Sequence, residues 1–136
     1  MEVIIKQVEG LTFVAKGDSN HWVAIDGPTE FFGSEAGTRP MELLLIALGS
    51  CTASDVAAIL QKKRAKLEKF EVRIQGDRED AHPKVFTKIH INYVFTGKEL
   101  KEEDVKRAIE LSQEKYCPIS TMLKKTVHLT YSYEII

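Results

Sequence analysis

Two side chains in this 136-residue chain could act as nucleophiles that are oxidised and then restored, the thiols of Cys51 and Cys117, 66 residues apart. A thiol reacts as its thiolate, so the surroundings of each cysteine decide what it does. Cys117 stands just before Pro118 at a helix start, where the helix dipole and unpaired N–H groups favour a thiolate, and Lys115 adds a cation. It should be the more acidic thiol. Cys51 lies about three turns into its helix, and Asp55 one turn on disfavours ionisation when charged. A reactive Cys51 therefore needs a cation from elsewhere in the fold or from a partner. Three readings are open: inert buried thiols, a metal pair, or a redox couple. Metal is the weakest, because neither cysteine has a second ligand at CxxC or HxxxH spacing and His21, His82, His90 and His128 are scattered. No metal and no cofactor is expected.

The element that must position Cys51 is the apolar stretch 37–60. Pro40 suits the first helical turn, Thr38 or Arg39 is the expected cap, and Lys62, Lys63 and Arg64 mark the far end. At about 100° per residue Cys51 shares a stripe with Leu44, Ala47, Leu48, Asp55 and Ala58, while Leu43, Leu45, Ile46, Val56 and Leu60 fall on other faces. A helix apolar on most sides reads as a buried central helix. One small domain is hard pressed to enclose it, so a partner subunit is expected to supply cover. The small residues Gly49, Ser50, Ala53, Ser54 and Ala57 read as packing positions for a closely approaching backbone.

Around this helix the pattern predicts strands at 3–8, 11–16 and 22–26, separated by turn signals. An aromatic loop with Phe31 and Phe32 leads into the helix. Alternation at 70–77 and 85–95 predicts a hairpin, 101–116 an amphipathic helix, 118–123 a short helix after Cys117-Pro118, and 127–135 a last strand. The order βββ-α-ββ-αα-β is that of an α+β fold, and residues 1–136 read as a single domain.

Lys plus Arg total 19 against 20 for Asp plus Glu, interspersed in sign, which gives no electrostatic case for nucleic acid or anionic lipid. The basic run 62–66 reads as a helix end. With two cysteines and no signal-peptide pattern after Met1, a reducing cytoplasm is the expected compartment. The 43–60 segment, with its Ser, Thr and Asp, reads as too short for a membrane span.

The residues Pro40-Met41-Glu42-Leu43-Leu44-Leu45, continuing to Ala47-Leu48-Gly49-Ser50-Cys51, and then Glu114-Lys115-Tyr116-Cys117-Pro118-Ile119-Ser120, resemble two motifs of the OsmC/Ohr family of osmotically inducible and organic hydroperoxide resistance proteins. The resemblance covers essentially the whole chain. It implies an OsmC-like intertwined homodimer with central helices packed together and active sites at the subunit interface. It further implies thiol peroxidase chemistry, with Cys51 attacking a peroxide O–O bond to become a sulfenic acid. Cys117 would condense with it to a disulfide, which a dithiol reductant reopens.

The chain departs from the family pattern where the thiolate is activated. Peroxidase members place a glutamate directly after the proline, bonded to an arginine from an early strand. Here Met41 follows Pro40, Glu42 comes next, and the first thirty-eight residues hold no arginine. On a straight helix Glu42 lies roughly 180° around from Cys51. Arg39, Lys6, Lys16 and His21 are the candidate substitutes, and the expected catalytic set is Cys51, Cys117, Glu42 and Arg39. Phe31, Phe32, Leu44 and Leu48 would favour a hydrophobic peroxide. The alternative is a redox-sensing or apolar-ligand-binding protein of the same fold without efficient peroxidase activity.

Overall fold

Gly10, at φ 56°, makes the tight turn from β1 (Ile4–Glu9) to β2 (Thr12–Lys16), a conformation that costs glycine little. Its carbonyl accepts from the Gln7 side chain at 2.8 Å. β3 (Val23–Ile25) adds antiparallel to β2, with Phe13 opposite Ile25. The computed structural model describes residues 1–136, and the chain divides into two units, Met1–Leu44 and Leu45–Ile136.

In the first unit the loop after β3 is closed by one carboxylate. Asp26, 2% exposed, accepts from the Thr12 hydroxyl and the Gly27 N–H, each at 2.7 Å, and from the N–H groups of Ser34 and Ala36 at 3.1 Å. These bonds, Thr12 foremost, outweigh the cost of burial and hold its pKa down to about 2. The loop returns alongside the sheet through an Ile25–Thr38 bridge. Phe31 closes a 3-10 turn and Phe32 takes φ 68°, so both rings point outward, 64% and 89% exposed.

α1 (Pro40–Lys62) opens with Pro40 in its first position. Arg39 is the cap: its carbonyl receives the Leu43 N–H at 3.0 Å, and its own N–H donates to Glu42 Oε2 at 3.1 Å. That return bond is half of a capping box. The helix continues into the second unit, where its buried residues are Leu48, Thr52, Val56 and Leu60, one stripe at i, i+4 spacing. The enclosure expected on most sides is absent in a single chain. Ile46 is 53% exposed and Cys51 only half-buried. The helix is also longer than the 43–60 segment: it has 23 residues, and an 18-residue stretch of it with mean hydropathy 2.0 is long and apolar enough to cross a bilayer. Its hydrogen-bonded Thr52 and Asp55 mark it instead as the core helix of a two-layer unit.

The second unit's sheet runs β4 (Lys69–Arg78), β5 (Phe86–Thr96), β6 (His128–Ile135), with β5 central. β4 and β5 form the expected antiparallel hairpin, Ile74 opposite Ile91. Gly49 of α1 lets Ile74 approach so closely that a Cβ there would lie 2.7 Å from Ile74 Cδ1. β6 pairs parallel to β5, which requires a crossover, supplied by α2 (Glu102–Leu111) and α3 (Pro118–Leu123). The chain from Lys101 to Tyr116 is not one α-helix. At Ser112–Tyr116 it widens into a π turn, in which the Cys117 N–H reaches back to the Ser112 carbonyl at 2.8 Å. The extra residue turns both Ser112 and Gln113 inward, 0% and 2% exposed, and frees the Gln113 carbonyl to accept from Lys124 Nζ.

Candidate functional site

The π turn and the crossover bring Cys117 to Cys51. The two sulfurs and a carboxylate oxygen of Asp55 all lie within 4.8 Å of one another, and both cysteines are free thiols. Cys117 caps α3: its sulfur accepts from the Ser120 N–H at 3.4 Å, and it is fully buried. Cys51, on the half-exposed face of α1, is the thiol a solute can meet.

Burial pushes the Cys51 pKa up to about 11, and the hydrogen bond and charge of Cys117 push the same way. Asp55 adds to this as its position one turn on requires, while the Ile119 N–H at the start of α3 opposes it. The α3 start therefore serves both sulfurs, a help to Cys51 that residue spacing did not reveal. The balance favours the protonated thiol over the thiolate at Cys51.

Behind the thiols lies a buried polar network. Tyr93 Oη and Thr52 Oγ1 are 2.6 Å apart, Thr52 Oγ1 and Ser112 Oγ 2.7 Å, and Ser112 donates to Asp55 Oδ2 at 2.9 Å. Gln113 Nε2 donates to Tyr93 Oη at 2.8 Å and to Thr52 Oγ1 at 3.2 Å. Each hydroxyl has one proton, so the direction is set from the carboxylate end. Ser112 gives its proton to Asp55 and must accept from Thr52, which must accept from Tyr93. The chain of donation runs from Tyr93 through Thr52 and Ser112 to Asp55. Burial raises the Tyr93 pKa to about 12 despite its bonds to Thr52 and Gln113, so it stays a donor. Two buried atoms, Gln113 Oε1 and Ser120 Oγ, have no partner. None of Thr52, Tyr93, Ser112 or Gln113 stood out in the sequence, where isolated polar residues on apolar faces carry no motif.

The structure brings together Cys51 and Cys117 of the expected set, and adds Asp55. Glu42 is engaged in capping α1, and the Arg39 guanidinium lies 3.6 Å from Glu35.

The family model for OsmC-like protein matches residues 33–132. The chain is 42% identical to Protein YhfA of Escherichia coli (strain K12) over 136 residues, covering all of this chain and 98% of YhfA. A crystal structure of a hypothetical protein from Aquifex aeolicus VF5 superposes with TM-score 0.87 at 35% identity, over 99% of this chain and 95% of that one. The fold is shared with an organic hydroperoxide resistance protein OsmC from Legionella pneumophila, TM-score 0.70 at 18% identity over 98% and 97% of the two chains. Two free thiols brought within 4.8 Å of one another by an α+β fold and a family match spanning both cysteines lead to one assignment: this chain belongs to the OsmC-like family.

Proposed function

We propose that the chain is a thiol-dependent peroxidase for organic hydroperoxides, working through Cys51 and Cys117. The observation that carries the reading is the convergence of two free thiols from distant elements, one reachable and one buried behind it. The Cys51 thiolate attacks the outer peroxide oxygen and the O–O bond breaks. The alkoxide leaves as the alcohol with the proton the thiol gave up, and Cys51 becomes a sulfenic acid. The Cys117 sulfur then attacks that sulfur and water leaves. The net change is one peroxide and two thiols converted to an alcohol, water and a disulfide. A dithiol reductant returns the pair to its starting state.

In this reading two chains form a homodimer, whose interface covers the faces of α1 left open in one chain, Leu44 and Ile46 among them. Sedimentation of a 15.4 kDa species at micromolar concentration would remove the dimer. Arg39 is the proposed source of the activating charge, with Glu42 holding the helix start that carries it. Peroxide consumption under a dithiol reductant tests this: Cys51→Ser should abolish turnover and Arg39→Met should slow the peroxide step about tenfold, the scale of one lost pKa-shifting charge.

One observation favours a second reading, a redox-sensing or apolar-ligand-binding protein of the same fold. With its pKa pushed up to about 11, Cys51 is a poor nucleophile at neutral pH unless a cation is brought to it. A wild-type reaction with cumene hydroperoxide no faster than that of a free thiol of pKa about 8.5 would select this second reading.

A further inference from the structure

The neighbourhood of Cys51 contains more than a redox couple requires. A disulfide needs two sulfurs. Here a carboxylate from the same helix face completes a triangle with them, every side at most 4.8 Å. Asp55 is not there by accident of exposure: it is half-buried, and Ser112, from the π turn, fixes its orientation through a 2.9 Å bond to one oxygen. The other lone pairs of the carboxylate remain available.

We propose that Cys51, Asp55 and Cys117 form a binding site for a thiophilic divalent cation of the zinc class. Zinc takes thiolate sulfur at about 2.3 Å and carboxylate oxygen at about 2.0–2.2 Å in a tetrahedral arrangement, which places the two sulfurs about 3.8 Å apart. Reaching that spacing asks for a contraction of about 1 Å at most. Two thiolates and a carboxylate fill three positions, and the fourth stays open to water or an incoming ligand, the pattern of a reactive rather than a closed structural site.

The outer groups suit such an ion. The Ser112 hydroxyl orients the carboxylate, and the Ser120 N–H bonds the Cys117 sulfur at 3.4 Å, as outer partners of metal ligands do. Ser120 Oγ, fully buried and without a partner, lies on that same residue. Histidine is absent from the ligand set, and two soft sulfurs favour zinc, cadmium or cuprous ions over magnesium or calcium. Local spacing in the sequence argued against metal because a CxxC or HxxxH pair was missing. The fold makes the set from one i, i+4 pair on α1 and one residue 66 positions on. The ion takes the sulfurs as thiolates, so Zn2+ should release protons on binding and bind more tightly as pH rises.

Metal binding also changes what the thiols do. A bound ion occupies both sulfurs, so the metal-loaded pair is withheld from oxidation, and oxidation to the disulfide expels the ion. This goes beyond the peroxidase reading and does not depend on it.

The test is titration of the reduced, full-length protein with Co2+ and then Zn2+, without peroxide. The expected result is one ion per chain and a thiolate-to-cobalt charge-transfer band that Zn2+ displaces. Cys51→Ser and Cys117→Ser should each lose about half the band and bind at least 100-fold more weakly, and Asp55→Asn about 10- to 100-fold more weakly. In wild type alone, one equivalent of Zn2+ should slow alkylation of Cys51 by iodoacetamide tenfold or more, reversed by chelator, which keeps the test decisive if a variant fails to fold. Absence of the band, unchanged binding in the double cysteine variant, or unprotected alkylation would overturn the site. Because peroxide is absent throughout, any of these results leaves the redox reading standing or falling by itself.

Discussion

Asp26 and the Cys51 cluster are both polar centres built into the protein, and they are built oppositely. Asp26 has four donors for one carboxylate, two at 2.7 Å and two at 3.1 Å, and its pKa falls to about 2. Around Cys51 the balance is reversed. Two thiols and a carboxylate crowd together, the Cys51 pKa climbs to about 11, and Gln113 Oε1 and Ser120 Oγ are left without partners. A saturated centre closes a loop and has no reason to react. An unsaturated one holds groups that gain by losing protons, by joining to each other or by taking an ion, and that difference separates structure from chemistry here.

The largest expected effect lies in the pH dependence of the reactive centre. With chelator present, reaction of Cys51 with an alkylating agent should rise about tenfold per pH unit from 7 to 10 and level above 11, on the order of ten-thousandfold overall. A plateau below pH 9 would mean that a cation activates the thiol, and the contrast with Asp26 would weaken. The stability profiles should also diverge in sign. The folded pKa of Asp26 lies below the ordinary carboxylate value of about 3.9, so its contribution is present above that pH and is lost as pH falls towards 2. The folded pKa of Cys51 is raised, so its contribution is present below about pH 9 and is lost as pH climbs to about 11.

Asp26→Asn should lower Tm by roughly 10 °C at pH 7, because an amide cannot accept from four donors as a carboxylate does, and the gap to wild type should close near pH 2. Thermal melts across pH 2–7 check this. A smaller loss is expected of Tyr93→Phe, about 1–3 kcal/mol, because Thr52 and Gln113 would each lose a buried partner. Urea unfolding measures it, and a loss below about 0.5 kcal/mol would mean that the donation chain to Asp55 is not holding the site together.

The periodic elements were legible before the structure. The short helix Pro118–Leu123 has the bounds that Pro118 and the apolar spacing predict, and the β4–β5 hairpin is within a residue or two of its alternation. Periodicity reports a local contest between burial and exposure, so it survives without tertiary knowledge. The π turn was not legible, because Ser112–Tyr116 has the same composition as a helix end and its widened bond is decided by what Ser112 and Gln113 meet inside. Parallel pairing of β6 with β5 leaves no mark on either strand's own alternation. Of the site, the two cysteines were legible as chemical groups and Asp55 as a neighbour that opposes ionisation. The Thr52–Tyr93–Ser112–Gln113 network was not, since each member is one ordinary polar residue until the fold joins them. Glu42 belongs to a family motif in altered form, and its bond to the Arg39 N–H at the start of α1 is a role that the motif alone does not disclose.

Cys51 and Cys117 are proposed to act as one redox pair, and mass spectrometry decides whether they do. Reduced, metal-free protein is treated with one equivalent of cumene hydroperoxide, quenched with an alkylating agent and digested. The predicted product is a single cross-linked peptide containing Cys51 and Cys117, two hydrogens lighter than its reduced parts, lost in Cys51→Ser and replaced by a trapped Cys51 sulfenic acid in Cys117→Ser. Alkylation of both cysteines in full after peroxide treatment, or oxidation of Cys51 beyond the sulfenic state with Cys117 still free, would contradict it.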